Sequence, residues 1–448
     1  MPNRRLLLGI IALIAWTLTS APAQNEETSG SERENRGLAE RLETMELDNG
    51  IRVMLVPNSS NQVLAIKGFL DIGLMLEPAE QSGLSNLTHQ LLLKGTQTRS
   101  AEEISEAIES VGGSIGVSVQ HDYSEIAVIA TIDQAELSLE LIADCLFRPA
   151  FPAEQLDKER QFVLSRIRIA EDQPPTFALK QFNKEIYPGH SYGRPVLGEP
   201  ETLLQLTRED VKQFHRQYYQ PARLTLVAMG DFEAGGFGRK VEQYFGEFSN
   251  DPGRTIKVSK SFSQRYSMKQ FDRDVEQQFI CYGFPVCAAN NPDIPALRVA
   301  TAILGEGMSS RMFTELRDKQ GLAYQVGGRL SLRREAANVI FYIGTQPQNS
   351  MRAVNGISSE IDRLQEEQAS DAEMERAKNY IIGKFQIAHQ TNMACVSILG
   401  SYDQLGLGAA YDQLFEEDIR RVTAQDVQAA ARQYFKTPVI VQVGPRME

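Results

Sequence analysis

Tryptophan is almost missing from this chain: of 448 residues only Trp16 is one. Cysteine is scarce as well, and Cys145, Cys281, Cys287 and Cys395 have no zinc-finger spacing. Cys281 and Cys287 sit in an extended-looking CYGFPVC stretch that holds them roughly 20 Å apart, beyond disulfide reach. Four buried free thiols are the expectation. Basic charge is in deficit, with 46 Lys and Arg against 58 Asp and Glu and a net charge of -12. With no basic cluster, the footprint of a nucleic-acid binder is absent. No apolar run reaches the roughly 20 residues of a membrane-spanning helix. Nor does the chain repeat at about 20–50 residues, which removes solenoid architectures.

What is present starts with an address. Residues 1–23 combine Arg4 and Arg5, the apolar run LLLGIIALIAWTL and the small-x-small triplet Ala21-Pro22-Ala23, the pattern of a cleavable signal peptide. The expected compartment is a bacterial periplasm, with no membrane attachment after cleavage; retention as an anchor is the alternative. Residues 24–43 are polar and charged and read as a flexible leader.

Order is expected from Thr44 onward. Asp48-Asn49-Gly50 is a hairpin signal between two apolar runs, and RVMLVP and VLAIKGFLDIG read as strands. AEEISEAIESVGG reads as a helix closed by Gly112-Gly113. SIGVSVQHDYSEIAVIAT alternates as paired strands, and QAELSLELIADCLFRPAF and AEQLDKERQFVLSRIRIAED read as two helices with charged outer faces. HSYGRPVLGEP reads as a loop turned by Pro195 and Gly198. It leads to a helix capped by Thr207 with Asp210 three residues on. RLTLVAMGDF follows as a closing strand, and residues 249–263 form a linker rich in Ser, Asp, Pro, Gly and Lys.

Beyond the linker the chain repeats itself. TREDVKQFHRQYY from Thr207 returns as TAQDVQAAARQYF from Thr423, 216 residues later. PAEQLDKERQFVLSRI from Pro152 aligns with SDAEMERAKNYIIGKF from Ser370, and DIPALRVATAILGEG stands where the first half has SGLSNLTHQLLLKGT. Two tandem α+β domains are predicted, at 44–248 and 264–448.

The stretch GLSNLTHQLLLKGT, Gly83 to Thr96, carries Asn86, His89 and Gln90 on one helix face. Alone, that is an ordinary polar face. Its frame, however, resembles the zinc helix of the pitrilysin family, the inverzincins, whose His-x-x-Glu-His supplies two zinc ligands and a general base. The resemblance places Asn86 and Gln90 at the ligand positions and His89 at the base. On the AEQLDKERQFVLSRIRIAED helix it places Glu159 as a supporting carboxylate and Arg166 where the third ligand belongs. The second half has LGEGMSSRMFTELRDKQGLAYQV, similar to the family's C-terminal motif. There the resemblance gives Arg317 and Tyr324, seven residues apart, the task of binding substrate backbone and stabilising an oxyanion. Read locally, the same two residues are an Arg317 paired with Asp318 or Glu315 and a Tyr324 filling core.

Zinc sites are built from thiolate, imidazole or carboxylate donors, and a guanidinium about 4 Å from a divalent ion costs on the order of 8 kcal/mol even at an effective dielectric near 20. No zinc is therefore expected in this chain. His121 and Asp122 could in principle build another site, but a histidine beside Tyr123 reads first as strand surface. The resemblance implies two tandem α/β-sandwich domains of the processing-peptidase type. It also implies a non-catalytic subunit whose Arg317 and Tyr324 complete the site of a zinc-bearing homologous partner that cleaves peptides. The edge strand expected to take peptide is Gly116, Val117, Ser118 and Val119. A peptidase-like scaffold with no peptidase partner is the other reading. In a third, Arg166 replaces the missing cation by engaging Glu159 or Gln90.

Overall fold

A computed structural model describes residues 38–250 and 265–446. The signal segment, the leader up to residue 37 and the linker from residue 251 lie outside the described residues.

The first half builds a six-stranded sheet from β1 (Glu43–Glu46), β2 (Arg52–Pro57), β3 (Val63–Leu70), β4 (Ser114–Val119), β5 (Ser124–Thr131) and β6 (Leu224–Gly230). Its order is β1-β2-β6-β3-β5-β4, antiparallel except for the β2/β6 pair. The turn joining β1 to β2 uses Gly50 at φ 83, and the Asn49 amide ties it to the carbonyls of Phe245 and Phe248. The second half builds β7 (Ser267–Asp272), β8 (Gln278–Pro285), β9 (Gln325–Ser331), β10 (Asn338–Thr345) and β11 (Val439–Gly444), in the order β7-β11-β8-β10-β9. Here the one parallel pair is β7/β11, the counterpart of β2/β6. Strand for strand this is the first sheet without β1. The capping boxes at Thr207/Asp210 and Thr423/Asp426 both form, opening helices Arg208–Tyr218 and Ala424–Tyr434. The fold is two tandem α/β sandwiches, and the sequence repeat is a repeat of architecture.

Central strands β6 and β8 are buried along nearly their whole length. Their apolar runs are continuous because both faces of each sheet are covered. One face meets helices of its own half; Leu139, Ile142 and Leu146 of helix Ala135–Phe147 join Leu64, Ile66, Ile126 and Val128 in a single core. The other face is covered by exchange. Helix Pro174–Ile186 of the first half lays Ala178, Phe182 and Ile186 on Phe279, Cys281, Ile340, Val441 and Val443 of the second sheet. Helix Asn392–Gln404 of the second half lays Cys395, Val396 and Leu399 on Ala65, Phe69, Val227 and Met229 of the first. Each exchange sets an aromatic ring on a glycine, with the roles reversed: Phe182 on Gly283, and Phe69 on Gly400. A Cβ at Gly283 would lie 2.6 Å from the Phe182 ring, and one at Gly400 2.0 Å from that of Phe69.

All four cysteines are free thiols. Cys145, Cys281 and Cys395 are buried, but Cys287 is only half-buried and corrects the expectation of four hidden thiols. No described helix is long and apolar enough to cross a membrane.

Candidate functional site

Helix Leu84–Leu91 begins at Gly83, whose φ of 99 suits a residue without a side chain. A Cβ on the facing Gly198 would fall 2.5 Å from the Gly83 Cα, so two glycines let the loop after Arg194 press on the helix start. The buried Glu77 carboxylate accepts the Ser85 N–H at 2.9 Å, a favourable place for an anion. Burial raises the Glu77 pKa to about 7, against the lowering effects of the Ser85 N–H and the Arg194 guanidinium. The helix packs against β4, helix Ala153–Asp172 and helix Arg208–Tyr218.

His89 is fully buried, and both ring nitrogens are engaged. Nε2 lies 2.8 Å from the Glu125 carbonyl oxygen and Nδ1 lies 3.0 Å from the Tyr219 hydroxyl. A carbonyl only accepts, so Nε2 carries the hydrogen and Nδ1 accepts from Tyr219. Burial lowers the His89 pKa to about 4. Tyr219 is itself held by stacking on His215, with ring centres 4.6 Å apart. His89 is therefore a neutral, saturated core group with no lone pair directed to a pocket.

The other positions do not converge on a metal either. Asn86 is buried, and its Nδ2 has no hydrogen-bond partner among the described residues. Gln90 is half-buried. Glu159 is buried and pairs with Lys94 at 3.3 Å. Arg166 is exposed, with its guanidinium 5.9 Å from the Phe162 ring centre. The idea that Arg166 holds two helices together through Glu159 or Gln90 is thus corrected: Lys94, from the LLLKGT frame, partners the carboxylate. Arg166→Glu is accordingly expected to change unfolding free energy by less than about 0.5 kcal/mol in a urea titration. A loss several times larger would reinstate the helix-bridging role. This donor set does not fit zinc: it comprises one imidazole with both nitrogens engaged, two carboxamides and a remote cation. Among the described residues no three His, Cys, Asp or Glu side chains gather in a metal-binding group.

His121 is also corrected. It lies in the turn between β4 and β5, is buried, and meets the Tyr192 ring edge-on at 5.9 Å. Burial lowers its pKa well below the usual imidazole range. Around it the HSYGR stretch fastens the two halves together. The Tyr192 hydroxyl donates to Asp122, whose other oxygen accepts the Arg334 N–H at 3.2 Å. His190 Nε2 lies 3.3 Å from Glu335, and Arg334 reaches Asp71 at 2.6 Å. Arg194 donates to the carbonyls of Leu74 and Glu77, which fixes the segment that caps the site helix. Asp122 thus serves this junction between the halves.

Arg317 stands in the last turn of a π-helical segment, Phe313–Lys319, held from below by buried Leu316 and Met312. Its guanidinium lies 4.5 Å from the Phe313 ring centre, while Glu315 pairs with Lys319. Tyr324 is 59% exposed just before β9, and its hydroxyl accepts from the Gln346 amide at 3.2 Å. Local pairing of Arg317 and a core place for Tyr324 are both overturned; the two side chains are held at the surface. Gly116 to Val119 lie in β4, the outermost strand of its sheet, and the space above Gly116 is open.

Sequence reading missed Lys94, Glu77 and Tyr219. Lys94 could have been found, since it stands in the frame beside Glu159's expected site. The match of Tyr219 to Phe435 in the repeated RQYY and RQYF likewise marks an aromatic that architecture requires.

The family model Insulinase (Peptidase family M16) matches residues 52–200, and that of the Peptidase M16 inactive domain matches residues 205–381. The chain is 27% identical over 389 residues to an uncharacterized zinc protease, YmxG, of Bacillus subtilis, covering 86% of this chain and 94% of that one. A similar zinc protease of Streptomyces coelicolor is 27% identical over 413 residues, covering 89% and 88%. Among solved structures, a protease from Helicobacter pylori superposes with a TM-score of 0.85 at 22% identity, covering 90% of this chain and 99% of that one. An M16 inactive domain from Pseudomonas fluorescens gives 0.85 at 20% identity, covering 91% and 98%. These two likenesses establish the fold.

Proposed function

Because the chain belongs to peptidase family M16, the insulinase family, we infer that it is the non-catalytic member of an exported two-subunit zinc endopeptidase. The zinc-bearing homologous subunit performs the cleavage of peptides, and this chain lends it Arg317, Tyr324 and chamber surface. The observation that carries this reading is the contrast between two positions. His89, at the place of the general base, is sealed and neutral, while Arg317 and Tyr324 are held out in solvent on a buried footing. An exposed guanidinium and an exposed phenol suit a substrate carbonyl that becomes an oxyanion in another subunit's site. Export rests on residues 1–23.

A peptide-binding scaffold without a catalytic partner is the second reading, supported by the open edge of β4. One experiment separates the two. The purified chain is assayed for bound zinc and peptidase activity, alone and mixed with a zinc-bearing homologue from the same organism. The expected result is no cleavage alone, cleavage in the mixture, and at least tenfold lower kcat when Arg317→Ala replaces the native chain. Full activity of the Arg317→Ala mixture would favour the scaffold; stoichiometric zinc in the lone chain would overturn both.

A further inference from the structure

Two long helices in equivalent positions of the repeat, Ala153–Asp172 and Asp371–Ala388, each bury one apolar face and expose another. The buried faces carry Leu156, Val163 and Ile167 in one and Met374, Ala377 and Ile381 in the other. The exposed faces carry Phe162, Arg166 and Ile169, and Tyr380, Lys384 and Ile387, at the same helical spacing of four and then three residues. Phe162 is 57% exposed and Ile169 59%; Tyr380 is 38% exposed and Ile387 64%. Among the described helices only these two expose a pair of large apolar side chains. In both stripes the cation lies over the aromatic ring, Arg166 at 5.9 Å and Lys384 at 5.2 Å. Lys384 also stands 3.7 Å from the Glu306 carboxylate, a pair whose exposed lysine a ligand carboxylate can share or capture. Single exposed apolar residues need no explanation, but the same triad written twice does.

Charge is arranged the same way in both. From residue 160 to 170 the first helix has three arginines and no carboxylate, and from 376 to 388 the second has three Arg or Lys and no carboxylate. Arg160 is taken up by Asp157 and Lys378 by the Arg420 carbonyl, which leaves Arg166 and Lys384 as the cations within the stripes. This occurs in a chain with a net charge of -12. Each stripe also has the same neighbour. Helix Leu84–Leu91 packs between the first and β4, and helix Ile294–Gly305 packs between the second and β9. Both β4 and β9 are outermost strands, with one edge open. An open edge offers hydrogen bonds to an extended main chain, and a stripe one helix away offers contacts to its side chains.

We propose that the Phe162–Arg166–Ile169 and Tyr380–Lys384–Ile387 stripes are twin docking faces for extended polypeptide rich in acidic and apolar residues, whose carboxylates meet the two cations and whose apolar side chains cover the rings and isoleucines. It rests on the reading above only in taking a polypeptide as the ligand. A lipid surface is the less suitable occupant, because each stripe presents two apolar side chains, where an interfacial helix needs a broad apolar face.

The test uses the full exported chain without any partner. The probes are a fluorescein-labelled dodecapeptide of Asp, Phe and Leu, the same peptide with Asn for Asp, and phosphatidylglycerol vesicles. The variants are Arg166→Gln with Lys384→Gln, and Phe162→Ser with Tyr380→Ser; because Tyr380 rests against Gly307 and Lys384 pairs with Glu306, each variant is first shown by its thermal melt to be folded at the assay temperature. Anisotropy is expected to show binding of the acidic peptide, with the Asn peptide and both double variants at least about tenfold weaker, and no sedimentation with vesicles. The proposal is overturned if the acidic peptide does not bind or binds no better than its Asn form. It is equally overturned if the variants bind as the native chain does or if only vesicles bind. These outcomes are separate from the subunit reading. A full-activity Arg317→Ala mixture with intact stripe binding would remove that reading alone, and unaffected stripe variants beside a failing Arg317→Ala mixture would remove the stripes alone.

Discussion

Gly400→Leu is expected to destabilise the protein by about 3 kcal/mol or more, and Phe69→Ala in the same chain is expected to restore much of the loss. The Cβ of any side chain at residue 400 would meet the Phe69 ring at 2.0 Å, far inside contact distance, and that ring is itself fully buried. Overpacking of a dense interior typically costs about 1–3 kcal/mol, and here the obstructed helix carries three of the second half's buried side chains, Cys395, Val396 and Leu399, that cover the first sheet. Phe69→Ala alone should cost about 3–5 kcal/mol through the cavity it leaves. The double variant exchanges a large residue on the strand for one on the helix. It should be more stable than either single variant, a coupling that a double-mutant cycle in urea measures directly. The pseudo-equivalent pair behaves differently. A Cβ at Gly283 meets the Phe182 ring at 2.6 Å and also the Val339 carbonyl oxygen at 2.5 Å. Phe182→Ala therefore cannot rescue Gly283→Leu, since the backbone of the neighbouring strand does not move with a side chain. Strict additivity in the Gly400/Phe69 cycle would mean that the halves are not held by this contact.

That exchange of helices marks the limit of what the sequence made legible. The duplication was readable because Thr207/Asp210 and Thr423/Asp426 impose the same local hydrogen bonds wherever they occur, and capping is decided within four residues. The apolar face of helix Pro174–Ile186 is plain in Ala178, Phe182 and Ile186, but a stripe says only that something covers it. That β8 and β11 of the other half do so depends on chain topology. His121 was misread for the same reason: its turn looks polar, and the Tyr192 that buries it lies 71 residues on. Arg166 was misplaced because its helix position is fixed by sequence while the side chain's direction is set by what it meets. Lys94 had already taken Glu159. Changed chemistry at Asn86, His89 and Gln90 was visible in the residue types themselves, whereas the sealing of His89 needed Tyr219 and the Glu125 carbonyl to be brought to it through the fold.

Acidification should separate two buried titrations of opposite sign. His89 is buried and His215 is half-buried with its ring stacked on Tyr219, and desolvation lowers each pKa from 6.5 to about 4. Between those values the unfolded chain binds protons that the folded chain refuses. Their stabilisation is thus complete above pH 6.5 and is lost as pH falls toward 4, about 3 kcal/mol for each. His121 and His190, also lowered by burial, act in the same direction. Glu77 does the reverse. Its folded pKa, raised to about 7 by burial, lies above the ordinary 4.5, so it withholds about 3 kcal/mol above pH 7 and returns it between pH 7 and 4.5. Asp122, raised by burial, joins it, and so does His389, raised by the Asp412 carboxylate and the Phe385 carbonyl against the lowering effect of burial. Urea unfolding at pH 8 and pH 5 resolves these contributions by substitution. Glu77→Gln keeps an acceptor for the Ser85 N–H and removes the buried charge, so it should stabilise by about 3 kcal/mol at pH 8 and by much less at pH 5. His215→Gln can still donate to the Leu146 carbonyl, which His215 reaches at 2.7 Å, yet it takes up no proton. Its loss of stability from pH 8 to pH 5 should be smaller than the native loss by about 2 kcal/mol. Equal stabilisation by Glu77→Gln at both pH values would show that this carboxyl does not titrate near neutrality. In that case the strength of the cap at the start of the Leu84–Leu91 helix would not depend on pH.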